Sequence, residues 1–149
     1  MYDIAKLKQL REQTGVSFSL CKKALEETKN NLPQAKKLLS KWGGDKAADK
    51  AQRKTSSGAI FAYVHHNKKV ASLIELNCET DFVSNNKEFQ LLGQELAMQV
   101  ASLKAETVKE LMNQEYIRDP AKKISDLIKE AVLKFGENIK INRILFWTL

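Results

Sequence analysis

The hydrophobic pattern of this chain changes its period once, near residue 58, and that change limits the folds available to it. Up to residue 45, apolar residues recur at the three- and four-residue spacing of helices that bury one face. In "GAIFAYVHHNKKVASLIELNC", residues 58–78, apolar side chains instead alternate between two faces, as in half-buried strands. The chain is therefore predicted to combine a helical unit with a unit that contains antiparallel strands.

The helical unit is predicted to be a three-helix domain over residues 1–45. Gly15 is placed to end the first helix, and Asn31 is placed to cap the third through its side-chain oxygen. Gly43-Gly44 is predicted to stop that third helix. A unit of this size has too little core to be very stable alone.

Residues 46–57 carry alanine and charge but hardly any large apolar side chain, which predicts a linker. Residues 58–149 then predict a hairpin that turns at Asn67, several helices, and a last strand in "NIKINRILFWTL". Asn85 and Asp119-Pro120 are predicted helix starts. The predicted fold class is α+β, with a core of three-stranded antiparallel sheet covered by helices.

The excess positive charge lies entirely in the first third of the chain. Residues 1–54 contain 13 Lys/Arg and 6 Asp/Glu, whereas residues 55–149 contain 12 of each. A basic unit of this kind suits nucleic acid, an acidic protein partner or simple solvation, and charge alone does not choose among them. No stretch has the apolar length needed to cross a bilayer, so no membrane partner and a cytosolic or organelle-internal location are predicted.

The residue types that carry catalysis or bind metals do not form a recognisable set. His65 and His66 are adjacent in a predicted strand, where neighbouring side chains point to opposite faces. Cys21 and Cys78 have no CxxC partner and fit buried free thiols. Gly43-Gly44 lacks the strand before it and the Lys-Ser/Thr after it that a phosphate-binding loop needs. We therefore predict no catalytic residue, metal or cofactor.

The stretch "LNCETDFVSNNKEF", residues 76–89, places a large aromatic beside a carboxylate at the end of a strand-like run. Two interpretations of this corner are open from the residues alone. In one, Phe82 turns into the core and Asp81 caps the next turn. In the other, Phe82 is exposed and anchors a protein interface, with Asp81 facing backbone N–H groups of the partner.

Three separated motifs resemble those of the elongation factor Ts family. They are "LREQTGVSFSLCKKALEET" near the amino terminus, "ELNCETDFV" in the middle and "GENIKINR" near the carboxyl terminus. Their order and separation fit that family, and together they cover the chain except for about residues 104–122. The first motif matches at Leu10, Arg11, Glu12, Thr14, Gly15, Cys21, Lys22, Lys23, Ala24 and Leu25.

This resemblance implies a guanine-nucleotide exchange factor for elongation factor Tu in bacterial-type translation, acting by protein binding and not as an enzyme. It implies that residues 1–45 are similar to ubiquitin-associated domains and dock on the partner through Arg11, Gly15 and Phe18. It also implies that a wedge segment, carried over as Thr80, Asp81, Phe82 and Val83, enters the partner near GDP and dislodges its Mg²⁺. The implied location is the bacterial cytoplasm, or alternatively the interior of a mitochondrion or plastid.

The chain departs from the family pattern in two places. "VSFSL" stands between Gly15 and Cys21, where a Met-Met-Asp run is common, and Phe18 is expected to replace the first methionine as an apolar contact. The region after Val100 is also much shorter than in longer members, which leaves a single core. Its last strand is very apolar, and burying that strand predicts a homodimer, as in short family members.

Two rival functions follow from the residues. One is a nucleic-acid-binding module that uses the basic first third, with Trp42 and Phe18 as stacking groups. The other is a ubiquitin-associated-type adaptor joined to an unrelated core, which predicts that residues 1–45 bind the partner alone. The resemblance favours elongation factor Tu as the partner, with no direct contact to nucleic acid.

Overall fold

A computed structural model of the chain describes residues 1–149 as seven helices and five strands. The helices are α1 (Ile4–Thr14), α2 (Phe18–Glu27), α3 (Leu32–Lys50), α4 (Asp81–Ser84), α5 (Lys87–Leu103), α6 (Val108–Asn113) and α7 (Ile124–Phe135). The strands are β1 (Ser57–Val64), β2 (Val70–Cys78), β3 (Glu115–Tyr116), β4 (Asp119–Lys123) and β5 (Lys140–Thr148). None of the helices combines the length and the apolar character that crossing a membrane requires.

Strands β1, β2 and β5 form a three-stranded antiparallel sheet in the order β1-β2-β5. Phe61 pairs with Ile74, and Ile74 pairs with Ile144, so one face of the sheet is apolar across all three strands. Helix α5 covers that face, and α7 contributes side chains to the same buried core. The predicted α+β class, with a three-stranded antiparallel sheet and helices on one side, is confirmed.

The three N-terminal helices form at the predicted positions and enclose a second core. Gly15 ends α1 in the left-handed conformation at φ +67°, and the Asn31 side chain accepts a hydrogen bond from the Gln34 N–H at the start of α3. The buried residues of this core come from α1, α2, α3 and the α1–α2 loop, with one exception. Leu133 belongs to α7, so the helical unit packs directly on the larger part of the chain.

The prediction that Gly43-Gly44 stops the third helix is wrong, because α3 continues to Lys50. A Cβ added at Gly43 would lie 3.0 Å from the Lys129 carbonyl oxygen, so the bare glycine lets α3 and α7 approach closely. Ala47, one turn further along, packs against the larger core. Helix packing therefore outweighs the low helix propensity of two glycines.

The predicted helix start at Asp119-Pro120 is also wrong, since these residues lie in β4 of a two-stranded β3–β4 hairpin. Proline fits such a strand because it has an edge where no N–H is needed for pairing. The buried side chain of Gln99 holds the hairpin, accepting from the Ile117 N–H at 3.1 Å and donating to the Glu115 carbonyl at 3.0 Å. Helix α7 begins only at Ile124.

Helix α5 starts later than predicted, because its cap is Asn86 and not Asn85. Asn85 instead follows α4, a single turn that separates β2 from α5. The short stretch between strand and long helix is thus a structured corner.

Close contact between α5 and the sheet predicts an asymmetry between two glycines. A Cβ at Gly93 would overlap the Phe61 ring, so Gly93→Ala is expected to lower the free energy of unfolding by about 1–3 kcal/mol. At Gly44 of α3 the nearest atom would be Lys129 Cδ, at 3.8 Å. Gly44→Ala is therefore expected to raise stability by up to about 1 kcal/mol. Urea unfolding of both variants checks this, and equal effects would contradict the packing described.

Candidate functional site

The corner after β2 turns one of its two apolar residues outward and the other inward. Thr80 caps α4, with its side-chain oxygen accepting from the Val83 N–H at 3.4 Å. The Phe82 side chain that follows is 90% exposed, whereas Val83 is 9% exposed and joins the larger core. The sequence left open whether Phe82 is buried or exposed, and in the structure it is exposed.

Asp81 is also exposed and lies beside the start of β1. Its carboxylate accepts a hydrogen bond from the Ser57 hydroxyl at 2.9 Å. Asp81 and Phe82 therefore form a projecting pair, a carboxylate and an aromatic ring, at one end of the sheet. Thr80 and Val83 lie behind them and hold the turn.

Behind the corner, Glu79 and Glu137 each accept a hydrogen bond from a backbone N–H at or next to the other residue. Glu137 accepts from the N–H groups of Glu79 and Thr80, both at 3.1 Å, and from the Thr80 hydroxyl at 2.6 Å. Glu79 in turn accepts from the Asn138 N–H at 2.8 Å. We call these four residues, Glu79, Thr80, Glu137 and Asn138, the clasp. It joins the middle motif "ELNCETDFV" to the C-terminal motif "GENIKINR".

Arg53, just after α3, is attached to the same place. Its guanidinium lies 3.7 Å from the Glu79 carboxylate, and its backbone carbonyl accepts from the Asn138 side-chain amide at 2.8 Å. Asn138 is buried, so leaving its side-chain amide without this hydrogen bond would cost free energy. The segment that joins the helical unit to the sheet is thereby tied to the corner.

The predicted docking residues Arg11, Gly15 and Phe18 lie together on the helical unit. All three are exposed, and they line a shallow groove that also includes Glu88. Glu88 is in the first turn of α5, shortly after Phe82 in the chain. The structure therefore brings these three residues to one groove, together with Glu88 of α5.

Gly15 has a structural role that sequence reasoning did not assign. Besides its positive φ, it leaves room for Lys134 of α7, whose Nζ would lie 2.7 Å from an added Cβ. Lys134 forms an ion pair with Glu88, and burial lowers the pKa of this lysine. Gly15, Lys134 and Glu88 thus connect the helical unit, α7 and the start of α5.

The clasp glutamates and Lys134 were missed at the sequence level, although the flanking motifs were recognised. Glu79 and Glu137 belong to the quoted motifs, but nothing in their spacing indicates that they meet. The only sequence signal for their contact was that the middle and C-terminal motifs each carry an acidic residue, Glu79 and Glu137, next to a turn.

The site offers groups for non-covalent binding. No three side chains of the types that bind metals come together in the structure. Cys21 and Cys78 are buried and free, and burial is the main cause that raises the pKa of both thiols. A raised pKa keeps a thiol in its unreactive protonated form near neutral pH.

Comparison with known proteins gives consistent results. A family model described as Elongation factor TS matches residues 79–148. The chain is 38% identical over 188 residues to Elongation factor Ts of Thermosipho melanesiensis, covering 96% of each chain. It is 36% identical over 188 residues to Elongation factor Ts of Coprothermobacter proteolyticus, covering 96% of this chain and 95% of the relative. Against Elongation factor Ts of Aquifex aeolicus it is 41% identical over 142 residues, 92% of this chain but 49% of that relative.

These alignments also show that the chain is shorter than two of these relatives. Two of them extend over 188 positions, whereas the chain has 149 residues, so those relatives carry positions without a counterpart here. The shorter length inferred from the sequence agrees with this.

The opposite orientations of Phe82 and Val83 predict opposite effects on stability. Phe82→Ala is expected to change the free energy of unfolding by less than about 0.5 kcal/mol, since an exposed ring contributes little to folding. Val83→Ala removes two buried methyl groups and is expected to cost about 1–3 kcal/mol. Urea unfolding measured for both variants checks the corner, and a large loss for Phe82→Ala would show that its ring packs on the fold.

Proposed function

The chain belongs to the elongation factor Ts family, and we propose that it promotes release of GDP from elongation factor Tu during translation elongation. It would act in the bacterial cytoplasm by binding its partner, without catalysing a chemical reaction itself. The observation that carries this proposal is the Phe82 side chain, 90% exposed on a corner whose backbone is held by the clasp.

In the proposed mechanism, residues 80–83 are the wedge that enters elongation factor Tu near its nucleotide site. Magnesium requires near-ideal octahedral geometry, so small shifts of the loops that hold it weaken the binding of both metal and GDP. Asp81 would face N–H groups of the partner, and Phe82 would fill an apolar pocket. Thr80 and Val83 would keep these two side chains in place.

Exchange then depends on a difference between two affinities. The chain must bind nucleotide-free elongation factor Tu better than the nucleotide-bound form, and nucleotide must weaken its binding by the same ratio. Burying one phenylalanine contributes roughly 1.5–3 kcal/mol, and each 1.4 kcal/mol is about a tenfold change. Phe82 is thus large enough to affect the coupling, although docking surfaces must supply the rest.

We propose the helical unit as the second contact with the partner. Arg11, Gly15 and Phe18 lie exposed beside one groove, and Phe18, 46% exposed, has an apolar surface available. The basic charge of residues 1–54 would assist the encounter with an acidic surface. In this scheme residues 1–45 form a docking domain similar to ubiquitin-associated domains, 46–57 a linker whose residues 46–50 continue α3, and 58–149 the core domain.

The proposed wedge is tested by stopped-flow release of fluorescent GDP from elongation factor Tu with Mg²⁺ present. We expect the wild-type chain to accelerate release, and Phe82→Ala and Asp81→Ala to slow it, Phe82→Ala by about tenfold or more because of the lost apolar burial. Leu103→Ala is the matched control, since Leu103 is an apolar side chain 49% exposed at the far end of α5. Rates at the wild-type level for both corner variants would refute the wedge.

We also propose that the chain forms a homodimer through the outer face of its sheet. The side chains on this face are mostly apolar, and several are strongly exposed, with Trp147 at 73%, Val64 at 59% and Leu145 at 47%. Exposed apolar surface of this extent is typical of protein interfaces. Glu75 and Arg143 pair at 2.9 Å on the same face, so each copy presents both signs of charge, which suits the self-complementary surface of a two-fold interface.

Light scattering over a dilution series tests the dimer. The wild-type chain is expected to show twice the 16.9 kDa mass of one chain at high concentration. Leu145→Glu should shift it to the monomer, because a charge would be buried in the interface. Leu91→Glu changes a leucine that is 56% exposed on α5, away from the sheet, and should leave the dimer intact. A wild-type monomer at every concentration would exclude this arrangement.

A further inference from the structure

We propose that Glu137 is a positioning residue for Phe82: its carboxylate fixes the backbone of the corner from which the ring projects. This inference rests on the proposed function of residues 80–83 and extends it to a residue outside that segment. Glu137 would touch neither nucleotide nor metal. It would act by holding the turn in one conformation before the partner arrives.

Phe82 cannot fix its own position, because its side chain is 90% exposed. Its direction therefore depends on the backbone of α4, which contains only four residues. A single helical turn is not stable by itself in water, since its first hydrogen bond must offset the ordering of several residues. Something outside α4 has to hold it.

The contacts of Glu137 meet that requirement directly. One carboxylate accepts three hydrogen bonds, from the Glu79 N–H, the Thr80 N–H and the Thr80 hydroxyl. Because the hydroxyl has a single proton, donating it to Glu137 leaves its lone pairs free to accept from the Val83 N–H. The chain of bonds runs from Glu137 through Thr80 to α4 itself.

The surroundings of Glu137 make this arrangement specific. Glu137 follows Gly136, which ends α7 at φ +69°, so the carboxylate is delivered from the end of a long, well-packed helix. The reciprocal bond from the Asn138 N–H to Glu79 prevents the two segments from sliding past each other. Hydrogen bonds to an ionised acceptor are about twice as strong as neutral ones, so a carboxylate is well suited to hold this turn in one conformation.

A first experiment measures the corner in the full chain without a partner. Amide hydrogen exchange, followed by NMR, is expected to be about tenfold or more faster at Glu79, Thr80 and Val83 in Glu137→Ala, because each 1.4 kcal/mol of lost protection is about tenfold. The Leu76 amide in the central strand should keep its protection. Unchanged exchange at Glu79 and Thr80 would overturn the inference whatever the exchange activity is.

A second experiment is a double-mutant cycle on GDP release from elongation factor Tu. Glu137→Ala is expected to slow release about tenfold in the wild-type background, the loss of a contact worth about 1.4 kcal/mol. It should have a much smaller effect in the Phe82→Ala background, where only its influence on Asp81 is left, because it acts mainly through that ring. Equal effects in the two backgrounds would show a general structural role and refute positioning.

Glu95→Ala is the matched control for losing a half-buried glutamate. Glu95 also accepts hydrogen bonds, from the Tyr116 hydroxyl at 3.0 Å and from Arg118, but it holds the β3–β4 hairpin and not the corner. It should lower stability without changing GDP release. If Glu137→Ala does not fold, Glu137→Gln replaces it: its amide keeps one oxygen for the Glu79 and Thr80 N–H groups but loses the acceptor for the Thr80 hydroxyl. It should slow GDP release less than Glu137→Ala, and equal slowing with and without Phe82 would again refute positioning.

The outcomes separate this inference from the function on which it rests. If Phe82→Ala slows release but Glu137→Ala matches wild type, the positioning role is wrong and the wedge stands. If Phe82→Ala and Glu137→Ala both match wild type, the wedge itself is wrong and the positioning role falls with it.

Discussion

Helix α7 contributes to both hydrophobic cores, and the placement of every candidate residue depends on that double packing. Ile128 and Val132 belong to the core under the sheet, while Leu133 belongs to the core of the helical unit. The close approach at Gly43 brings α3 against α7, and the end of α7 delivers Glu137 to the corner. One helix thus fixes the docking groove and the projecting pair relative to each other.

Local signals predicted most of the elements. Gly15, Asn31 and the alternation from residue 58 each depend on a few neighbouring residues, and the structure agrees at all three places. The errors arose where distant packing decided the outcome. Gly43-Gly44 stays helical because α7 lies against it, and Asp119-Pro120 forms a strand because Gln99 holds the hairpin. Neither partner is visible in a local pattern.

The candidate corner was predictable only in part for the same reason. Its position followed from the motif, but the direction of Phe82 did not, because the strand alternation ends at Cys78 and a helical turn begins three residues later. The clasp joins Glu79 to Glu137 and Asn138 across the whole of α5 and α7. Pairings of this kind come from the fold, so they appear only when the sheet and α7 are in place.

The pairing of β2 with β5 affects how early in folding the corner can form. Ile74 pairs with Ile144 across that ladder, so the central strand β2 completes its pairing only with β5, which lies far along the chain. The entropy of closing so long a loop is lost before the pairing repays it, which makes such contacts slow to form. Glu79 and Glu137 flank the same ladder. The corner is therefore expected to acquire its geometry late in folding, after the β1–β2 hairpin, whose contacts are local.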